Sequence, residues 1–145
     1  MRHLFDVNTL IALLDARHPA HDLVQTWYGA HENGTALCPL VENGAARIMS
    51  SPAYSQNQAL LTPGALLAQI GLVKISASNI EFWSDDISLS DTSIFNHDRI
   101  YGPRQLTDVY LLGLAVSKGG SLVTLDKNIP LAAVRNATQL NLRVL

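Results

Sequence analysis

Four acids in this 145-residue chain share one kind of position. Asp6 follows the apolar run RHLF directly, and Asp126 follows SLVTL. If both runs are parallel strands, the two carboxylates leave the same edge of one sheet. Glu42 falls in the first turn of a helix that begins at Pro39, after TALC. Asp108 falls in the first turn of a helix that begins near Arg104 to Thr107, where Thr107 is placed to cap it. Each alone is explained by capping or by the helix dipole, which favours acids at a helix start. Four at comparable junctions ask for more. Converging carboxylates repel and raise one another's pKa. Mg²⁺ or Mn²⁺ resolves this, because both prefer carboxylate and water oxygens. The natural chemistry is metal-assisted hydrolysis of a phosphodiester.

The surrounding pattern has to hold these groups. Residues 2–5 read as a strand, 9–14 as a short helix, 20–31 as a helix with Leu23, Val24, Trp27 and Tyr28 on one face. Asn33-Gly34 ends it, and 35–38 reads as the next strand. A helix follows over 39–49, then a polar loop over 50–58. The spacing predicts a helix over 63–70 closed by Gly71, and a strand over 72–75. A further strand is expected within 83–89 and a loop over 97–103. The strongest helix is 104–118, closed by Gly119-Gly120, followed by the apolar strand 121–125 and a last strand near 143–145. Strands alternating with helices argue for one α/β domain, 1–145, with a mainly parallel sheet. In such sheets functional groups collect beyond the carboxyl ends of the strands.

Composition excludes several classes. With 48% hydrophobic and 15% charged residues the chain is an ordinary globular one. A formal net charge of −2 argues against nucleic-acid binding by bulk positive charge. No apolar run approaches the roughly 20 residues of a membrane span, and LIALLDA is too short for a signal peptide. The single cysteine, Cys38, makes no internal disulfide, so cytoplasm is the expected compartment.

The stretches FDVNTLIALLD, PLVENGAARI, QLTDVYLLGLA and GGSLVTLDKNI, in this order and spacing, resemble the PIN domain, and within it the VapC ribonuclease toxins of toxin–antitoxin pairs. The resemblance spans nearly the whole chain. It implies a three-layer α/β/α sandwich and Mg²⁺- or Mn²⁺-dependent endoribonuclease activity. It also implies a homodimer and a VapB-type antitoxin that blocks the site, often with a basic side chain. The family's acidic quartet falls on Asp6, Glu42, Asp108 and Asp126. Asp6, Asp108 and Asp126 are then expected to ligate metal directly or through water, with Glu42 holding a second metal or orienting the attacking water. Asn8 matches a polar helper position. Thr124 matches a hydroxyl expected to orient Asp6 or another carboxylate.

Other residues weigh less. Asp85, Asp86 and Asp91 match no quartet position and read as loop and cap residues, and Asp15 as solvated. Arg99 and Arg104 are candidates for RNA contact, against the plainer reading of a solvated loop, and Arg47, five residues after Glu42, is placed either to pair with an acid or to reach RNA. Two rival functions remain at this level. FDVNTL and TLDKN faintly resemble aspartyl-phosphate phosphatases, but Asn8 stands where those enzymes need an acid. A PIN-like domain can also persist as a silent RNA- or protein-binding scaffold, although retention of all four acids favours catalysis.

Overall fold

The computed structural model describes residues 1–31, 34–55, 61–76 and 80–145, without the side chain of Ser55. Five strands make one sheet: β1 (His3–Phe5), β2 (Thr35–Leu37), β3 (Glu81–Phe82), β4 (Ser121–Thr124) and β5 (Leu142–Val144). Their order is β3-β2-β1-β4-β5, and every pairing is parallel. The register sets His3 beside both Thr35 and Ser121, and Phe5 beside Val123.

The helices are α1 (Val7–Leu14), α2 (His21–His31), α3 (Pro39–Met49), α4 (Pro52–Ser55), α5 (Pro63–Ser76) and α6 (Leu106–Ser117). From β1 the chain steps outward to β2 and then β3, and returns across β1 to β4 and β5. Right-handed crossovers put helices of the outward steps on one face and those of the return on the other. Accordingly α1, α3 and α5 pack on one another, while α6 packs against β1 and β4. This is the expected α/β/α sandwich around a parallel sheet. The central strands carry the apolar core between the layers, with Leu4, Phe5, Ala36, Leu37, Leu122 and Val123 fully or almost fully buried. Among the described residues no helix is long and apolar enough to cross a membrane.

The turn into β4 is built for its task. Gly119 has φ +68°, and the amides of Gly119 and Gly120 donate to Val116 O and Ala115 O at 3.0 and 2.8 Å. That is a Schellman closure of α6. It delivers the chain against β1, where a Cβ on Gly120 would stand 2.6 Å from Arg2 O.

Three expectations fail. Residues 72–75 are not a strand, because α5 runs through Gly71 to Ser76. Leu66 and Ile70 face inward and Lys74 extends the same i, i+4, i+8 stripe, so helical packing overrides the β-branched run. The strand expected within 83–89 is the two-residue β3 just before it. There Ser84 donates to Asp86, Ser88 and Ser90 share a hydrogen bond, and Ser93 donates to Asp91. Such local side-chain bonds compete with a sheet ladder. The loop expected over 50–58 contains the short α4; residues 56–58 lie outside the described residues. Asn33 of the Asn33-Gly34 stop also lies outside them.

Candidate active site

Asp6 leaves the carboxyl end of β1 and Asp126 lies two residues beyond β4, its neighbour in the sheet. The chain moves to β2 on one side of β1 and arrives from the far edge on the other. The ends of β1 and β4 therefore flank the crevice where strand order reverses, the preferred site position in open α/β sheets.

Asp6 is only 2% exposed. It caps α1, accepting the Thr9 amide at 2.6 Å on Oδ1. Its Oδ2 accepts the Thr124 hydroxyl at 2.5 Å. The same hydroxyl oxygen accepts the Asp126 amide at 2.9 Å, so Thr124 ties the two acidic positions together. Thr9 donates its own hydroxyl to Val123 O at 3.2 Å, fastening the α1 start to β4. Cap and candidate ligand are thus one residue. Thr9 is the member sequence reasoning missed; its place three residues after an acidic cap was the available signal.

Asp126 accepts from the Asn128 amide at 2.8 Å and its side-chain nitrogen at 3.1 Å, a local turn that sets its Oδ1. Asp108 is half-buried in the first turn of α6. Desolvation, then the charges of Asp6 and Asp126, push its pKa up to about 6. Burial chiefly raises the Asp6 pKa as well; bonds from Thr124 and Thr9 oppose this and Asp126 adds to it. The three carboxylates therefore share one electrostatic field.

Glu42, in the first turn of α3, has a partner the sequence did not disclose. Lys74 Nζ reaches from α5 to within 2.7 Å of Glu42 Oε1 and lies 4.4 Å from the Phe82 ring centre. Reading 72–75 as a strand hid this residue. The remaining ion pairs among the described residues are Arg2–Glu81, Arg17–Asp15 and Lys118–Asp86, so Asp6, Asp108 and Asp126 have no counter-cation there.

An oxygen-only donor set with excess negative charge fits Mg²⁺ or Mn²⁺ by chemistry. Among the described residues no group of three or more His, Cys, Asp or Glu side chains is placed to hold a metal ion directly. Mg²⁺ does not need one, since it usually keeps several waters and takes one or two carboxylates.

Other candidates stand apart. Asn8 is exposed and bonds to none of the carboxylates. Thr107 lies inside the first turn of α6, which Gln105 precedes without a side-chain cap, so it does not cap the helix. Arg47 is exposed in the last turn of α3, beyond Glu42 by more than a turn. Arg104 is exposed in a 3-10 turn just ahead of α6, and Arg99 is exposed beside Tyr101. Asp15 is not solvated: Tyr54 donates to it at 2.5 Å and the Arg17 amide at 3.0 Å.

Comparison with known proteins settles the family. No protein-family model matches the chain. Ribonuclease VapC44 of Mycobacterium tuberculosis is 39% identical over 146 residues, covering all of both chains. The chain belongs to the VapC ribonucleases. Ribonuclease VapC39 of the same organism is 38% identical over 127 residues, 87% of this VapC chain and 89% of its own. Ribonuclease VapC29 is 33% identical over 129 residues, 89% of each. The aspartyl-phosphate reading gains nothing from these relatives.

Proposed function

We propose that this VapC chain is a single-domain, cytoplasmic toxin that hydrolyses RNA internally, using Mg²⁺ or Mn²⁺ held by Asp6, Asp108 and Asp126 with Glu42 beside them. The carrying observation is the shared field of three cation-free carboxylates, Asp6 and Asp126 beyond the carboxyl ends of β1 and β4 and Asp108 in the first turn of α6. The relatives named ribonuclease supply the substrate class.

Each residue has a task in this reading. Thr124 and Thr9 fix both oxygens of Asp6, so the carboxylate needs little rearrangement when charge develops nearby. The Asn128 turn does the same for one oxygen of Asp126. Asp108, its carboxyl pKa pushed up to about 6 by burial and by the charges of Asp6 and Asp126, would supply a carboxylate oxygen to the cation, directly or through water. Glu42 lies on the α3 side of the site, its charge balanced by Lys74, where it orients the attacking water. That water forms a new P–O bond while the bond to the departing ribose oxygen breaks. The chemistry supplied by a bound divalent cation is orientation of the phosphate and stabilisation of the leaving oxygen. Arg99 and Arg104, ahead of the Asp108 helix, and Arg47 face solvent where RNA phosphates can be met.

The partners of this reading are a VapB-type antitoxin that covers the carboxylates and a second copy in a homodimer. The deciding experiment incubates purified protein with RNA and Mg²⁺ or Mn²⁺, with chelator, and with Asp6→Ala. Cleavage is expected only in the first case. Cleavage that survives both chelator and mutation overturns the metal mechanism. Harmless expression with no RNA cut returns the protein to the silent-scaffold reading.

A further inference from the structure

A cavity of about 310 Å³ opens between the starts of α3 and α6, lined by Leu40, Asp85, Leu89, Leu106, Thr107 and Tyr110. Nothing in the reaction above uses it. Leu40 lies two residues before Glu42 and Thr107 immediately before Asp108, so the lining comes from the same first turns of α3 and α6 that carry two of the four acidic positions. Its walls are mostly leucine and the Tyr110 ring. Leu106 leaves 41% of its surface exposed at the rim. The one charged group is Asp85, an exposed carboxylate. It stands near Tyr110, whose phenol pKa is raised first by burial and next by Asp85.

Those walls select their occupant. A phosphate is refused by leucines and by the Asp85 charge. An apolar side chain leaves a carboxylate facing it without a hydrogen-bond donor. A flat group with apolar faces and N–H donors along one edge satisfies both features, and an unpaired nucleobase is such a group. The volume lies at the low end of small-molecule pockets, roughly 300–1,000 Å³, which suits one base.

We propose that this cavity seats one unpaired base of the RNA beside the cleaved phosphate and that Asp85 selects guanine there. The inference rests on the RNA-hydrolysing reading. An ionised carboxylate only accepts hydrogen bonds. Guanine offers it two parallel donors, N1–H and the 2-amino group. Cytosine and adenine offer an amino group beside a ring acceptor. Uracil offers one N–H between two carbonyls that face the carboxylate lone pairs. The expected order is guanine, then cytosine or adenine, then uracil.

Two measurements test this. The first compares cleavage of single-stranded RNAs that differ only in the base next to the cut. The unaltered protein is expected to cut the guanine RNA at least about tenfold faster than the uracil RNA, the discrimination of one good bidentate contact. Asp85→Asn replaces two acceptors with one acceptor and one donor, a pair that suits uracil, and the ratio is expected to collapse. A protein that cuts RNA without guanine preference, or keeps that preference in Asp85→Asn, overturns the proposal.

The second titrates guanosine and uridine, which carry no phosphate, and follows the NMR methyl signals of Leu40 and Leu106. Shifts with guanosine that exceed those with uridine support the pocket. Equal or absent shifts overturn it, as do shifts produced only by a VapB-type antitoxin. Guanosine binding by a protein that cuts no RNA supports the pocket while overturning the RNA-hydrolysing reading.

Discussion

Lys74 Nζ stands 2.7 Å from Glu42 Oε1, joining α5 to the first turn of α3. The side chains keep 31% and 19% of their surface exposed, so the pair is neither a loose surface contact nor a dry one. Removing one partner leaves a half-hidden charge uncompensated. Lys74→Met is expected to destabilise the protein by about 1–2 kcal/mol, and Lys74→Met with Glu42→Gln by less than the sum of the two single changes. Chemical denaturation of the four proteins measures the coupling. Strict additivity would falsify a working ion pair.

Thr124 serves two acids with one hydroxyl. Thr124→Val keeps the shape and removes both the donor to Asp6 and the acceptor for the Asp126 amide. RNA cleavage is expected to drop at least about tenfold, with a stability loss of about 1–3 kcal/mol for the buried groups left unpaired. Thr124→Ser retains the hydroxyl and should recover most of the activity. Equal rates for the valine and serine variants would remove Thr124 from the site.

Acidity of Asp108 gives a pH signature. Below about pH 4 its carboxyl is protonated in folded and unfolded chains alike. From there to about 6 the unfolded chain releases the proton while the folded one keeps it. Stability of the metal-free protein therefore falls as pH rises through this window and stays lower above it. Solvent reaching the half-buried carboxyl limits the effect to on the order of 1–2 kcal/mol. Asp108→Asn should flatten this part of the urea-midpoint profile. Added Mg²⁺ should raise the melting temperature at pH 7.5 more than at pH 5.5, because the cation competes with the proton.

Gly44 sits where α3 passes α1, and a Cβ there would approach Val7 Cγ2 to 2.8 Å. Valine is stiff at χ1, so the clash is relieved only by separating the helices. Gly44→Ala is expected to cost about 1–3 kcal/mol. A lower urea midpoint with unchanged slope is the expected readout, and an unchanged midpoint refutes the tight crossing.

The acidic positions were legible because each lies within a few residues of a strand end, and local sequence reports such junctions. Helix 39–49 was read to the residue, since Pro39 marks its first turn. Lys74 was not legible because Leu72, Val73 and Ile75 after a glycine imitate a strand. Gly71 costs the helix only about 1 kcal/mol, and α5 runs through it to Ser76. The Thr124–Asp6 bond joins residues 118 apart and becomes visible only once β1 and β4 are neighbours. Asp15 was misjudged for the same reason: its partner Tyr54 lies 39 residues on.

The pairing of β1 with β4 also dates the site within the life of each molecule. The Asp6 cap on α1 is local and can form as soon as the first helix exists. Thr124 follows Asp6 by 118 residues, so it and Asp126 leave the ribosome long after the first helix. A nascent chain therefore carries a capped helix long before it carries a finished carboxylate cluster. Arrival of β4 beside β1, more than any step of early folding, brings the carboxylates together.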